Sequence, residues 1–283
     1  MILVFGAAGT CGSAVTRELA SAGARVRAFV RNEERAASAR AAGASDVAVG
    51  DLRHGESVER ALQGATGVFY VGPRFVADEA FLGRLVVRLA ARAGVERFVY
   101  QSALHSSVTE LHHHVFKREV EEALYESELE YTILQPARFM HNIVPGWKKI
   151  LGTGIYAEPF SADMPIADVD YQDVAAAAAI ALTRPGYGRA SFELCCDGML
   201  NRRQRVALLG EVLGRPVASG EISVEAWLQA AGITDPYERD ARARMFNYYD
   251  RCGFRGGNAL VLRSILGREP TGFRAFLERQ ACA

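Results

Sequence analysis

The chain has 283 residues, of which 49% are hydrophobic and 23% are charged, so it can bury a large core in one or two domains. Lys plus Arg and Asp plus Glu number 33 each, and this balance gives no reason to expect a nucleic acid or an anionic membrane as partner. No apolar stretch approaches the roughly 20 residues of a membrane span. The sequence opens directly on a strand pattern, and its five cysteines lack metal-ligand spacing. We therefore expect reduced thiols, no bound metal and a cytoplasmic protein.

The first half of the chain alternates predicted strands with predicted helices. The strands are expected at Ile2–Phe5, Arg25–Val30, Asp46–Gly50, Gly67–Val71, Arg97–Gln101 and Tyr131–Gln135. The helices between them are expected at Ser13–Ala22, Glu33–Ala42, Ser57–Gln63, Ala77–Ala93 and His112–Glu126. This alternation predicts an α/β fold with a Rossmann-type, doubly wound parallel sheet. Ligands bind beyond the carboxyl ends of such strands, in the loops Gly6–Gly12, Arg31–Arg35, Asp51–Arg53, Val71–Phe75, Gln101–His113 and Pro136–Asn142.

The alternation weakens after Pro136. Prolines and glycines between Arg138 and Pro165 predict a stretch that is mainly loop with short strands. The later segments read as one strand at Ala190–Cys195 and as helices at Tyr171–Thr183, Asn201–Leu213, Ser223–Ala230, Pro236–Arg251 and Thr271–Gln280. We therefore expect a dinucleotide-binding domain of residues 1–137, to which residues 166–184 return. A smaller mixed C-terminal lobe of residues 138–165 and 185–283 is expected to bind the substrate.

The first strand breaks into three glycines and is followed at once by an amphipathic segment. Gly6 suits the tight turn, Gly9 allows the backbone to approach a pyrophosphate, and Gly12 allows close packing of the helix on the strand. The helix N-terminus then presents unpaired N–H groups to the phosphates. A strand before the glycines and a helix after them supply the context that this motif needs, so we predict a dinucleotide-binding site.

The end of the second strand bears on the choice of dinucleotide. An NAD enzyme usually places an acidic residue roughly 20 residues past the glycine loop, and here the chain has Arg31. A guanidinium binds a phosphate bidentately, so Arg31 favours NADP(H), with NAD(H) as the alternative. Asp51 could contact the adenine. Arg31 as an ordinary solvated arginine at a helix start stays open.

The sequence resembles the NmrA-like family of atypical short-chain dehydrogenase/reductases, which includes NAD(P)H-dependent quinone and isoflavone-type reductases. The matching blocks span nearly the whole chain: GAAGTCG at Gly6–Gly12, RAFVRNEERA at Arg27–Ala36, VGDL at Val49–Leu52, GVERFVYQSAL at Gly94–Leu104, KREVEEALYESELEYTILQPARFMHN at Lys117–Asn142 and LGREPTGFRAF at Leu266–Phe276. The resemblance implies an NAD(P)-binding domain with a small C-terminal lobe. It leaves the function open, because the family also includes regulators that bind a dinucleotide without turnover.

The resemblance also implies candidate catalytic residues. Short-chain reductases use a Ser and a Tyr-x-x-x-Lys pair, in which the Tyr protonates a carbonyl oxygen and the Lys holds the nicotinamide ribose. Ser102 and Lys117 match the Ser and the Lys, whereas the Tyr position holds His113. Helical spacing puts residues 113 and 117 on one face, and an imidazole can donate a proton near neutral pH. Alternatively, Lys117 pairs with Glu121 on a helix surface and Ser102 is only a strand-end hydroxyl.

Two sets of residues are expected to bind ligands. Those expected at the dinucleotide are Gly6, Ala8, Gly9, Thr10, Cys11, Gly12, Arg31, Asp51, Leu52, Gly72, Pro73, Lys117, Pro136 and Phe139. Those expected at the substrate are Met140, Asn142, Trp147 and Tyr248, although aromatic residues in this lobe are also candidates for ordinary packing. The sequence does not say which of the three histidines His112–His114 faces the site.

We predict an NADPH-dependent oxidoreductase that transfers a hydride to a flat conjugated acceptor, a quinone or an enone. The alternatives are a non-catalytic sensor that binds NADP(H), and a reductase devoted to one biosynthetic intermediate. The expected partner is a small aromatic or conjugated molecule, without nucleic acid or membrane, and a homodimer is the candidate assembly.

Overall fold

The computed structural model describes residues 1–282. Its strands are β1 Ile2–Phe5, β2 Val26–Val30, β3 Asp46–Val49, β4 Gly67–Tyr70, β5 Arg97–Gln101, β6 Glu130–Pro136, β7 Arg138–Phe139, β8 Ile155–Glu158, β9 Ile166–Val169, β10 Ala190–Leu194, β11 Met199–Leu200 and β12 Ala218–Glu221. Its helices are α1 Thr10–Ser21, α2 Glu33–Ala41, α3 Gly55–Leu62, α4 Glu79–Arg92, α5 His112–Tyr125, α6 Trp147–Thr153, α7 Tyr171–Thr183, α8 Arg202–Leu213, α9 Val224–Ala230, α10 Pro236–Cys252, α11 Leu260–Leu266 and α12 Phe273–Ala281, with a 3-10 helix at Met140–Gly146.

A seven-stranded sheet in the order β10-β6-β5-β4-β1-β2-β3 forms the centre of the molecule, and its paired strands are parallel. The predicted doubly wound sheet is thereby confirmed. The chain runs outward from β1 through β2 to β3, then crosses to β4 on the other side of β1. The strand order therefore reverses between β1 and β4, and a crevice for a ligand lies at such a point, beyond the carboxyl ends of the strands.

The alternation of side chains along β1 shows how the sheet is covered. Ile2 and Val4 face a core that includes α1, α2 and α7, whereas Leu3 and Phe5 face a second core with α3, α4 and α5. All four side chains are buried. A strand covered on both faces needs a continuous apolar run, which is the pattern that predicted it.

The smaller lobe contains two further sheets, β11-β9-β7 and β12-β8, and a separate apolar cluster with α6, α8 and α12. The prediction that residues 138–165 are mainly loop is wrong, because this stretch also contains the 3-10 helix and α6. Ala190–Leu194 falls in the range expected for the lobe, yet it pairs with β6 at the edge of the large sheet. The other predicted boundaries between the two domains stay predictions.

Candidate active site

The glycine loop between β1 and α1 has the geometry of a phosphate cradle. Gly6 adopts a φ of +71°, in the left-handed region that favours glycine. A Cβ on Gly12 would lie 2.1 Å from the carbonyl oxygen of Gly6, so a side chain there would push the helix off the loop. Helix α1 begins at Thr10, and its N-cap residue Gly9 offers the first-turn amides no side-chain oxygen. These amides are therefore available to an anion.

The next predicted dinucleotide residues follow the neighbouring strands β2 and β3. Arg31 is exposed at the end of β2, and its guanidinium has no carboxylate at ion-pair distance in the part of the chain that the structure describes. Asp51 shapes the loop after β3, since its Oδ1 accepts a hydrogen bond from the Arg53 N–H at 2.9 Å. Leu52 packs against the core on the α3 side.

Residues at the first turn of α1 and after β4 complete the surroundings of the loop. Ala8 packs against the core on the α1 side, and the half-buried Gly72 and Pro73 follow β4 directly. Burial raises the pKa of the Cys11 thiol to about 11, against smaller opposing effects of Arg74 and Gln101. The Cys11 thiol is therefore protonated at neutral pH.

A cleft of about 100 Å³ lies at the carboxyl ends of β4, β5 and β6, beside the point where the strand order reverses. It is lined by Val71, Arg74, Phe75, Gln101, Ser102, Ala103, His113, His114, Lys117, Pro136, Ala137, Arg138, Phe139, Asn142, Met245, Tyr249 and Phe254. A Cβ on Gly6 would lie 2.7 Å from Cγ1 of Val71, so the phosphate loop adjoins the cleft. The three predicted catalytic residues Ser102, His113 and Lys117 thus share one cleft.

Ser102 is held by a buried carboxylate. Its Oγ donates a hydrogen bond to the carboxylate of Glu121 on α5. Glu121 also accepts hydrogen bonds from the Ser106 hydroxyl at 2.9 Å and from the Gln135 amide at 2.9 Å. Because the Ser102 proton is committed to Glu121, the Ser102 oxygen can accept a hydrogen bond from a ligand but does not donate one in this arrangement.

Lys117 is paired, but not with Glu121. Its Nζ lies 2.9 Å from Oε1 of Glu79 in the first turn of α4, and both side chains are at most 5% exposed. The two helices pack very closely one turn further along, where a Cβ on Gly83 would lie 2.3 Å from Cγ2 of Val120. Glu79 Oε2 has no hydrogen-bond partner among the described residues. The alternative of a surface pair between Lys117 and Glu121 is therefore wrong.

Two of the three consecutive histidines face the cleft. His113 and His114 line it, whereas His112 does not. Nδ1 of His114 lies 2.9 Å from the carbonyl oxygen of His105, and the His113 ring packs on Phe75 with a centroid separation of 4.7 Å. Burial, followed by the neighbouring positive charges, lowers the pKa of His113 well below its ordinary value. The imidazole is therefore neutral at pH 7, and it can donate a hydrogen bond but is not an imidazolium acid.

The structure separates the residues predicted to contact substrate. Asn142 lines the cleft. Met140 and Trp147 do not line the cleft and instead belong to the apolar cluster that includes residues of α6, α8 and α12. Tyr248 packs beside Tyr249 on α10, and it is Tyr249 that reaches the cleft. The structure does not bring Met140, Trp147 and Tyr248 to the site.

Several lining residues were not predicted. Arg74 and Phe75 belong to the loop after β4 that the sheet topology marks as informative, although the two residues themselves carry no motif. Arg138 begins β7, separated by one residue from the end of β6. Met245 and Phe254 come from the end of the chain, so only the packing of the lobe on the sheet could have identified them.

Residues 1–282 contain neither a cluster of metal-ligating side chains nor a membrane-spanning helix. Within that range, no group of three or more His, Cys, Asp or Glu side chains is arranged to hold a metal ion. No helix in the same range is both long and apolar enough to cross a membrane.

Comparison with known proteins agrees with the geometry of the loop and the cleft. The sequence profile of the NmrA-like family matches residues 1–269. The chain belongs to the NmrA-like family. This confirms the resemblance carried by the sequence blocks, which extend from the glycine loop to the last helix.

Relatives of this NmrA-like chain include characterised reductases. It is 31% identical over 231 residues to the NAD(P)H azoreductase of Xenophilus azovorans, covering 81% of this chain and 80% of that protein. It is 34% identical over 230 residues to the (4-alkanoyl-5-oxo-2,5-dihydrofuran-3-yl)methyl phosphate reductase of Streptomyces griseus, covering 80% and 78%. The structure of the NADPH-dependent quinone oxidoreductase of Escherichia coli complexed with NADPH has a TM-score of 0.86 at 26% identity, covering 99% of this chain and 100% of that one.

Proposed function

We propose that this NmrA-like protein is an NADPH-dependent reductase that transfers a hydride to a flat conjugated acceptor such as a quinone. The observation that carries the proposal is the cleft itself, which Lys117 and His113 line and which adjoins the phosphate loop through Val71, beside the point where the strand order reverses. The relatives named for azo and phosphate-ester substrates and the quinone oxidoreductase of E. coli support the same class of reaction.

The residues present fit an NADP(H) dinucleotide. Gly12 places no side chain between the first turn of α1 and Gly6, so the α1 amides would hold the pyrophosphate. Arg31 would bind the 2′-phosphate, since its guanidinium is exposed and has no carboxylate partner within residues 1–282. Lys117 would hold the nicotinamide ribose, and Glu79 would keep the ammonium group in position. The nicotinamide, when bound, supplies the hydride.

The remaining chemistry concerns the acceptor. A quinone that takes the hydride on a carbonyl oxygen becomes a hydroquinone anion, and one further proton gives the hydroquinone. His113 would donate a hydrogen bond to the developing oxyanion as a neutral imidazole. The proton that completes the hydroquinone would come from water. Water is sufficient because conjugation stabilises the hydroquinone anion. Phe75, Phe139 and Tyr249 provide aromatic walls for a flat ring.

The compartment and the assembly are also proposals. All five cysteines are free, which is consistent with a reducing cytoplasm. A homodimer stays a prediction.

Oxidation of bound NADPH tests the proposed function. The purified protein is loaded with NADPH and mixed in a stopped-flow instrument with a panel of quinones, enones and imines. We expect at least one quinone to oxidise NADPH well above the protein-free rate. If NADPH binds but no quinone, enone or imine is reduced faster than in the protein-free control, the reductase proposal fails and the sensor alternative takes its place. Reduction of an enone or imine alone would favour a dedicated biosynthetic reductase.

The choice of cofactor depends on Arg31. Arg31→Ala is expected to weaken NADPH binding about tenfold, the size of one charge-assisted hydrogen bond, and to leave NADH binding nearly unchanged. Fluorescence titration of both cofactors measures this, with Arg40→Ala on the exposed end of α2 as the matched control. Equal affinity for the two cofactors in the unmodified protein, unaltered by the substitution, would remove the assignment.

A further inference from the structure

The cations around the cleft are unevenly neutralised. No Asp or Glu side chain from residues 1–282 lines the cleft, whereas Arg74, Lys117 and Arg138 all do. Lys117 is paired with Glu79 at 2.9 Å, and the mostly buried Arg138 is paired with Glu158. These two positive charges are therefore already balanced.

Arg74 is the exception. In the described part of the chain its guanidinium has no carboxylate at ion-pair distance and donates no side-chain hydrogen bond. Burial raises the pKa of both Cys11 and Tyr249, and the charge of Arg74 acts on each in the opposite direction. Its charge thus acts on groups from α1 and from α10. A cation at the rim of an apolar cleft with no internal counter-ion attracts an anion there.

The conformation of the neighbouring residue explains why Arg74 stays at the rim. Phe75 has a φ of +59°, a left-handed conformation that is unfavourable for a bulky side chain. Its ring is nevertheless buried, packed on His113 at 4.7 Å and under the Arg242 guanidinium at 4.3 Å. Because Phe75 points inward and is held on two sides, the loop leaves the preceding Arg74 exposed at the mouth of the cleft.

We propose that Arg74 binds an anionic substituent of the acceptor, so that the preferred substrates are flat conjugated molecules carrying a sulfonate, carboxylate or phosphate group. The inference rests on the proposed reductase function and specifies its substrate class. The α1 amides and Arg31 are available for the phosphates of the dinucleotide, which leaves Arg74 for the second ligand. A planar guanidinium binds each of these oxyanions bidentately, while Phe139 and Tyr249 contact the conjugated ring.

A matched pair of acceptors tests the proposal. An anthraquinone sulfonate and its hydroxymethyl counterpart share one ring system and differ in charge. With NADPH, Arg74→Ala is expected to raise KM for the sulfonate about tenfold and to change KM for the neutral quinone less than about twofold. Arg74→Lys should recover part of the loss.

Arg92→Ala, at the exposed end of α4, is the matched control and should behave as the unmodified protein does. Added salt should reduce the preference for the sulfonate only while Arg74 is present.

Two results would overturn the assignment. If Arg74→Ala slows both acceptors equally and weakens NADPH binding in a direct titration, Arg74 belongs to the dinucleotide site. If neither anthraquinone is reduced, the kinetic comparison does not apply, and calorimetric titration of the sulfonate into the NADP⁺ complex decides about Arg74 independently of the proposed reductase function. An affinity about tenfold lower in Arg74→Ala then supports the anion site, and an unchanged affinity rejects it.

Discussion

Replacing Lys117 by methionine is expected to lower the free energy of unfolding by about 3–5 kcal/mol, because it leaves a buried carboxylate without its partner. Glu79 is only 2% exposed, and its second oxygen already lacks a hydrogen-bond partner among residues 1–282. The same substitution should lower NADPH affinity and turnover together, since the reacting carbon loses its position. Urea unfolding and steady-state kinetics measure the two effects. Arg203→Met, which breaks an exposed ion pair with Asp163, is the control and should leave both nearly unchanged.

A double variant separates the structural role of Lys117 from its role toward the cofactor. Lys117→Met combined with Glu79→Gln removes both charges, so most of the lost stability should return. Turnover should not return, because no ammonium group is left to hold the ribose. Recovery of turnover along with stability would show that Lys117 acts only within the fold.

Much of the fold follows from local patterns in the sequence. The apolar run of β1 and the alternation of strands and helices are each short-range features, and with the rule of right-handed crossovers they determine the parallel sheet. Helix α11 was missed because it spans seven residues and has no side-chain cap. Residues 138–165 were misjudged for a related reason: Pro145 lies inside the 3-10 helix, and proline is normally evidence for a loop.

Local geometry in the sequence brings site residues together only where they lie on one element, whereas Ser102, which follows β5, is assigned through the family resemblance. His113 and Lys117 are one turn apart on α5, so helical spacing is enough to place them together. The partner of Lys117 is on another helix, and their meeting depends on how closely α4 and α5 pack. That approach is possible because Gly83 has no side chain against Val120. A glycine on the buried face of an amphipathic helix was the available signal, and its meaning required the structure.

For His113, the sequence predicts the residue at the site but not its protonation state. The exchange of tyrosine for histidine is visible in the sequence, but the protonation state depends on burial. In the structure, desolvation keeps the imidazole neutral. Arg74 also could not be singled out from the sequence. The structure shows that Lys117 and Arg138 have carboxylate partners, and only this comparison makes Arg74, unpaired among the described residues, informative.

The stability of the protein should fall as the pH drops from about 6.5 to about 4, because His114 is buried in its neutral form. Burial is the main cause that lowers its pKa from 6.5 to about 4, against the opposing effect of its bond to His105. Within this window the unfolded chain binds a proton that the folded chain does not, so acid favours unfolding. From pH 7 to pH 5 this one group should account for a loss of about 2 kcal/mol, and over the whole window for about 3 kcal/mol.

His114→Asn keeps a donor toward the His105 carbonyl but does not titrate, so its unfolding free energy should fall correspondingly less. Urea unfolding at pH 7 and pH 5 measures the difference, with the exposed His54→Asn expected to retain the full dependence. A His114→Asn protein with the same pH dependence as the unmodified one would show that the pKa of His114 is the same in the folded and unfolded chain, and the lowered pKa of this buried imidazole would have to be abandoned.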